Sequence, residues 1–185
     1  MGKCDGDSYT EIYYKNELIR EGWRNPLTRI NSVPFDFNNK TVLDLGCNCG
    51  GTLFAVADKI KFGLGVDIVP EAIEAADETA NKNHIVNVNF RVLDLTKKTH
   101  IEKLPKTDIV FALSIAKHIN NWRDIIEILE PQYCLFEANG GRDGGTIPDQ
   151  MSWLKTKFTK ADILMEEYES TRKLILCEGF IKESE

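Results

Sequence analysis

Five short apolar runs separated by longer amphipathic stretches constrain this chain more than any other feature. They are TVLDLG (41–46), FGLGVD (62–67), VNFRVLD (88–94), DIVFALS (108–114) and YCLFEA (133–138). Runs this rich in Val, Ile, Leu and Phe predict strands buried on both faces, which requires helices on each side of a mostly parallel sheet. The intervening stretches supply those helices. The spacing predicts helices over 51–60 after a glycine pair, over 70–83 opening at Pro70 with acidic residues in its first turn, and over 121–130 ending before Pro131. A last crossover helix is predicted over 148–157, where Pro148 stands in the first turn. The runs ADILMEEYES (161–170) and TRKLILCEGF (171–180) have nothing helix-sized between them and predict an antiparallel hairpin. The fold class expected is α/β, a three-layer α/β/α sandwich with right-handed crossovers.

The chain has 185 residues, 42% of them hydrophobic, enough for one substantial core, so a single domain over 1–185 is expected. Residues 39–180 are read as its Rossmann-like core and 1–38 as an N-terminal helical cap or lid. The helix of that cap is placed on SYTEIYYKNELIREGW (8–23), with apolar or aromatic side chains at Tyr9, Ile12, Tyr13, Leu18, Ile19 and Trp23. Tyr13, Tyr14, Trp23, Arg24 and Arg29 would then close over a ligand, or the aromatics would pack on a sheet edge. The formal charge of −6 gives no overall field for attracting a phosphate backbone. The five cysteines are odd in number and follow a polar start, MGKCDGDSY, so reduced thiols in a cytoplasmic protein are expected. Cys47 and Cys49 are one residue apart, unlike zinc or redox pairs, so no metal site is expected. No apolar run approaches the roughly 18–20 residues that span a bilayer, so no membrane partner is expected.

In open parallel sheets, ligands bind beyond the carboxyl ends of the strands. Here those ends carry Asp44, Gly46, Asp67, Asp94 and Ser114. The loop Gly46-Cys47-Asn48-Cys49-Gly50-Gly51 offers glycine backbone for a tight turn and close ligand approach, with helix amides behind it. Asp67, 21 residues after Gly46, can accept hydrogen bonds from two ribose hydroxyls, or cap the helix that follows. Ile68 beside it can cover one adenine face. Asp94 can accept from an adenine amino group, with Leu95 supplying apolar surface or an amide, or Asp94 simply ends a strand in a turn. The loop reads G-x-x-x-G-G and departs from the dinucleotide fingerprint G-x-G-x-x-G.

Together these residues resemble the class I S-adenosylmethionine-dependent methyltransferase family. VLDLGCNCGG resembles its glycine-rich first motif, GVDIVPEAIEAA its acidic second motif and VLDL its third, and the likeness runs from about residue 40 to 180. The resemblance implies a seven-stranded sheet of order 3-2-1-4-5-7-6, with the seventh strand antiparallel and the terminal hairpin as its last two strands. It also implies that S-adenosyl-L-methionine is the cofactor, held by Asp44, Gly46, Cys47, Asn48, Gly50, Asp67, Ile68, Asp94, Leu95 and Ser114. The family places substrate-facing residues after the fourth strand, so Lys117 and His118 are the catalytic candidates, His118 as a base near neutral pH. Glu137 ends the fifth strand, either orienting a substrate amine or forming an ion pair. A basic run, Lys97-Lys98, His100, Lys103 and Lys106, is read as a solvated face.

The expected function is methyl transfer to an oxygen or nitrogen of a small-molecule acceptor. The chain lacks the Asn/Asp-Pro-Pro-Tyr signature of amino-methylating DNA enzymes. LDLGCNCGG with LSIAKHINNW also bears a likeness to RNA-end and tRNA methyltransferases, so an RNA or protein acceptor is the alternative. A non-catalytic subunit that binds the cofactor is a third reading.

Overall fold

A computed structural model of the chain describes residues 8–140, 144–167 and 172–182. Seven strands form one sheet: β5 (Thr41–Leu45), β6 (Phe62–Asp67), β7 (Val88–Val92), β8 (Ile109–Leu113), β9 (Tyr133–Ala138), β10 (Phe158–Glu167) and β11 (Arg172–Phe180). Their order is β10-β11-β9-β8-β5-β6-β7, which is the expected 3-2-1-4-5-7-6 read from the other edge. β11 runs antiparallel to both β9 and β10, and the pairs β5–β6, β6–β7 and β8–β9 are parallel. The chain divides into two compact units, Met1–Asp94 and Leu95–Glu185.

In the N-terminal unit, Val42, Leu43, Leu45, Leu64 and Val66 are buried strand residues, as two-sided cover demands. Helix α3 (Pro70–Lys82) buries Ala72, Ile73, Ala76, Thr79 and Ala80, a stripe at helical spacing. It opens on Pro70 with Glu71 in its first turn and stops where His84 turns left-handed at φ 54°. The helix expected over 51–60 is shorter: α2 is Gly51–Phe54, followed by turns. Residues 51–57 are buried throughout, so no solvent-facing stripe fixes a helical period there, and bonds such as Ala57 N–H to the Phe54 carbonyl, 3.1 Å, tighten the path.

The N-terminal segment corrects the expected helical cap. Residues 8–24 form two small ribbons: β1 (Ser8–Thr10) parallel to β4 (Gly22–Arg24), and β2 (Ile12–Tyr14) antiparallel to β3 (Glu17–Arg20). Lys15 and Asn16 between β2 and β3 both have positive φ, 53° and 64°, the conformation of a two-residue hairpin turn. Aromatic and β-branched residues at Tyr9, Thr10, Ile12, Tyr13 and Tyr14 favour the extended chain over a helix. The first helix of the chain is α1 (Pro26–Ile30), capped by Asn25, whose Oδ1 accepts from Leu27 N–H at 2.8 Å.

In the C-terminal unit, a short helix α4 (Lys98–Ile101) lies in the basic run, whose residues 97–99 are exposed. Helix α5 (Trp122–Leu129) buries Trp122, Ile125, Ile126 and Leu129 and ends at left-handed Glu130 before Pro131. Helix α6 (Ile147–Lys157) starts on a reciprocal cap in which Asp149 N–H donates to Thr146 Oγ1 at 3.2 Å and Thr146 N–H to Asp149 Oδ2 at 3.0 Å. The Thr146 hydroxyl, which also donates to Asp149 Oδ2 at 2.7 Å, and the Thr146 N–H hold the Asp149 carboxyl below its usual range. The Trp122 ring packs against Phe136 and Trp153, with centroids 5.0 and 4.9 Å apart. No helix among the described residues is long and apolar enough to cross a membrane.

Candidate functional site

The buried strand β5 delivers the chain into a loop with left-handed backbone at Gly46, Asn48 and Gly50, with φ of 72°, 49° and 78°. The N–H groups of Gly46 and Cys47 both donate to the Val66 carbonyl, at 2.8 and 3.0 Å, and Gly50 N–H closes a turn on the Cys47 carbonyl at 2.9 Å. The Asp67 side chain completes the brace: Oδ2 accepts from Asn48 N–H at 2.8 Å and Oδ1 from Val69 N–H at 3.0 Å. Asp67 therefore staples the loop to the end of β6, and α3 takes no side-chain cap from it, since Val69 is the N-cap residue. Ile68 is 56% exposed beside it. Asp94 lies two residues beyond the end of β7 at Val92, half-buried, so the strand is shorter than the expected 88–94.

Asp44, 3% exposed, lies just before the loop. Burial raises its carboxyl to about 7, the Asp67 charge adds to the rise, and the buried Arg29 guanidinium opposes it. A carboxyl with a raised folded-state pKa binds its proton more tightly in the native state, so ligand-free stability falls as pH rises from about 4 to about 7 and levels off above. Asp44→Asn removes that contribution. In denaturant unfolding, the gap between variant and wild type is expected to widen across this window, by about 4 kcal/mol at most by pH 8, the opposing Arg29 charge being already counted in the raised value. A gap that stays constant from pH 4 to pH 8 would remove Asp44 as the titrating group. Arg29, one of the residues expected to close over a ligand, is buried and electrostatically coupled to Asp44.

Cys47 is buried, and burial with the Asp44 charge pushes its thiol well up, so it is an unreactive side chain. The expectation of five reduced thiols is corrected at Cys49, which is disulfide-bonded, while Cys47, Cys134 and Cys177 are free. A disulfide needs only that folding bring two Cβ atoms within about 4.5 Å, and sequence spacing does not report such proximity. Cys4 lies outside the described residues.

In the C-terminal unit, β8 ends at Ser114, left-handed at φ 64°, before a single 3₁₀ turn over Ile115–Lys117. Ser114 Oγ donates to Glu137 Oε1, and Arg172 Nη1 donates to the same oxygen at 3.0 Å. Glu137 is 2% exposed, so the ion-pair reading of this residue holds. Lys117 ends the turn, His118 follows it, and both are exposed. Leu95 is buried, and its carbonyl accepts from Asn121 Nδ2 at 2.9 Å. Sequence reading missed Arg172, and its one signal was a carboxylate inside the apolar run YCLFEA that had to find a partner. A cavity of about 440 Å³ lined by Ile30, Val33, Phe35, Asp36, Phe37 and Lys59, among others, includes none of the loop residues and is not taken as the site.

Comparisons with known proteins add the following. A family model described as a methyltransferase domain matches residues 36–174. A protein of Clostridium acetobutylicum described as an uncharacterized RNA methyltransferase is 37% identical over 105 residues, covering 56% of this chain and 23% of that protein. Ribosomal protein L11 methyltransferase of Citrobacter koseri is 32% identical over 109 residues, covering 57% and 35%. The chain thus spans about a quarter to a third of these relatives. Among solved structures, the N-terminal domain of EvdMO1 in the presence of SAH and D-fucose shares the fold at TM-score 0.69, with 14% identity over 91% of this chain and 90% of that one.

Proposed function

This chain belongs to the methyltransferase domain family, and within it we propose that the chain methylates an oxygen or nitrogen of a small-molecule acceptor. The methyl donor is S-adenosylmethionine, whose sulfonium carries an already activated methyl group. The observation that carries the site assignment is the Asp67 staple on the left-handed glycine loop. Each Asp67 oxygen accepts one backbone N–H and keeps lone-pair capacity, which suits two ribose hydroxyls. Exposed Ile68 offers its face to the adenine ring, and Asp94 accepts from the exocyclic amine. Asp44 near the end of β5 and the loop residues Gly46, Cys47, Asn48 and Gly50 are assigned to the methionyl end. Leu95 and Ser114 are assigned to the adenosyl group from the family resemblance alone. Calorimetry of the full chain with S-adenosylhomocysteine tests this reading, and a well-folded protein that shows no binding would sink it.

Catalysis in such a site is mainly positional, with the acceptor atom held in line with the S–CH3 bond. A hydroxyl acceptor needs its proton removed, and exposed His118 is proposed as the base, with Lys117 beside it. His118→Ala is expected to lower the transfer rate on the order of 100-fold and leave cofactor affinity nearly unchanged, as read by single-turnover kinetics and calorimetry. Undiminished turnover would take His118 off the catalytic list.

The small acceptor is favoured by the net charge of −6, which does not concentrate phosphate. The 37% identity to the Clostridium protein favours an RNA acceptor as the second reading. Transfer of labelled methyl groups to a metabolite panel and to RNA separates the two. A cytoplasmic location belongs to the same proposal; the free thiols Cys47, Cys134 and Cys177 fit it, and the Cys49 disulfide counts against it.

A further inference from the structure

Beyond the carboxyl end of β9, the C-terminal unit buries an amide that its own fold does not use. Asn139 follows directly on β9 and is 5% exposed. Its backbone is clamped by Gln150 of α6, itself 0% exposed: Asn139 N–H donates to Gln150 Oε1 at 3.2 Å, and Gln150 Nε2 donates to the Asn139 carbonyl at 2.8 Å. The same Gln150 Nε2 reaches the Gly144 carbonyl at 3.1 Å, which fixes the far end of the loop. The Asn139 side chain is left out of this arrangement. Neither Oδ1 nor Nδ2 meets a hydrogen-bond partner among the described residues. Buried polar groups are nearly always paired, and a doubly unpaired amide on a rigid backbone is a group kept for something that arrives later. The next residue, Gly140, is exposed, and a side chain built on it meets nothing within 4 Å among the described residues.

The neighbouring chemistry narrows what fits. Two residues before Asn139, the Glu137 carboxylate holds Ser114 Oγ and Arg172 Nη1. Arg172 precedes Lys173, which pairs with Ala138, so the register sets Arg172 opposite Asn139. Among these described groups, the Glu137 and Arg172 charges oppose one another, and the others are the Ser114 hydroxyl and the Asn139 amide. An amide presents one donor and one acceptor side by side. A phosphate or carboxylate brings acceptors only and an ammonium donors only, so each would leave one amide atom unmatched. Hydroxyls both donate and accept, and two adjacent ones match both atoms.

We propose that Asn139, backed by the Ser114–Glu137–Arg172 cluster, is the acceptor-recognition residue, and that the acceptor is a neutral polyhydroxylated ring with adjacent hydroxyls, of the sugar class. This rests on the methyl-transfer reading above. Binding of S-adenosylhomocysteine by each variant is therefore measured first, and its absence in wild type counts against that reading, not against Asn139.

Asn139→Leu keeps the branched outline of the side chain, at a larger volume, and removes both polar atoms. In the ligand-free full chain it is expected to raise the melting temperature by a few degrees, because an unpaired buried amide has been replaced by an apolar group. In methyl transfer to a panel of methyl glycosides, it is expected to raise KM at least 10-fold with little change in kcat and in cofactor affinity. Asn139→Asp is expected to raise KM as well, since it removes the donor. A melting temperature lowered by several degrees, or failure of Asn139→Leu to fold, would make the amide structural and overturn the proposal. An unchanged KM would do the same. So would a wild-type protein that binds cofactor and methylates RNA or amines but none of the glycosides.

Discussion

Asp67→Ala is expected to weaken binding of S-adenosylhomocysteine about 100-fold or more in calorimetry, with a melting temperature within a few degrees of wild type. The carboxylate does two things at once. It accepts the Asn48 and Val69 N–H groups at 2.8 and 3.0 Å, which holds the left-handed turn of the loop in place. Its remaining lone pairs are proposed to take two ribose hydroxyls. Hydrogen bonds to a charged group contribute about 1.5–3 kcal/mol each, so losing two corresponds to about 3 kcal/mol or more, a factor of at least about 100 in affinity. Asp67 is half-buried, so truncation opens no sealed cavity and the stability cost stays small. Asp67→Asn keeps one acceptor oxygen and is expected to fall between. Wild-type affinity in Asp67→Ala would remove the residue from the cofactor site.

Gly50→Ala is expected to lower stability by about 2–5 kcal/mol, a drop in melting temperature of roughly 4–20 °C by circular dichroism. Two separate costs combine. At φ 78° the backbone is left-handed, which costs a residue with a Cβ about 1–2 kcal/mol. The new methyl would also stand 2.6 Å from Phe90 Cε1 and 3.0 Å from Phe54 Cε2, inside a tilted aromatic pair with centroids 5.3 Å apart. Overpacking of that kind costs about 1–3 kcal/mol. Shrinking the obstruction with Phe90→Leu in the same chain is expected to recover the steric part and leave the backbone part. An alanine variant as stable as wild type would show that the loop has another conformation within reach.

The core strands were legible because two-sided burial writes itself as uninterrupted Val, Ile, Leu and Phe. β5, β6, β8 and β9 begin and end within a residue of the runs that predicted them. α3 was legible from Pro70, Glu71 and a buried stripe at helical spacing. The terminal hairpin was legible from what was missing, a helix-sized stretch between two apolar runs. The segment 8–24 was misread because Tyr9, Ile12, Tyr13, Leu18, Ile19 and Trp23 fit a helical face only loosely. The decisive signal was the two-residue turn at Lys15-Asn16, which takes positive φ.

Of the site, the loop's glycines and the carboxylate at the end of β6 are local facts, set by turn geometry and by where a parallel strand must stop, and the chain states them openly. The brace from Asp67 to Asn48, the charge of Arg29 set against Asp44, the Cys49 disulfide and the unused amide of Asn139 are long-range facts. Each depends on which residues folding brings near one another, whatever their separation in sequence. Hydrophobic period and turn chemistry act over a few residues, whereas a hydrogen bond or a charge pair answers only to distance in space. The amino-acid order therefore fixed the layers, the strand ends and the loop. Packing alone determined which carboxylate is stapled, which is pushed towards neutrality and which amide is left waiting.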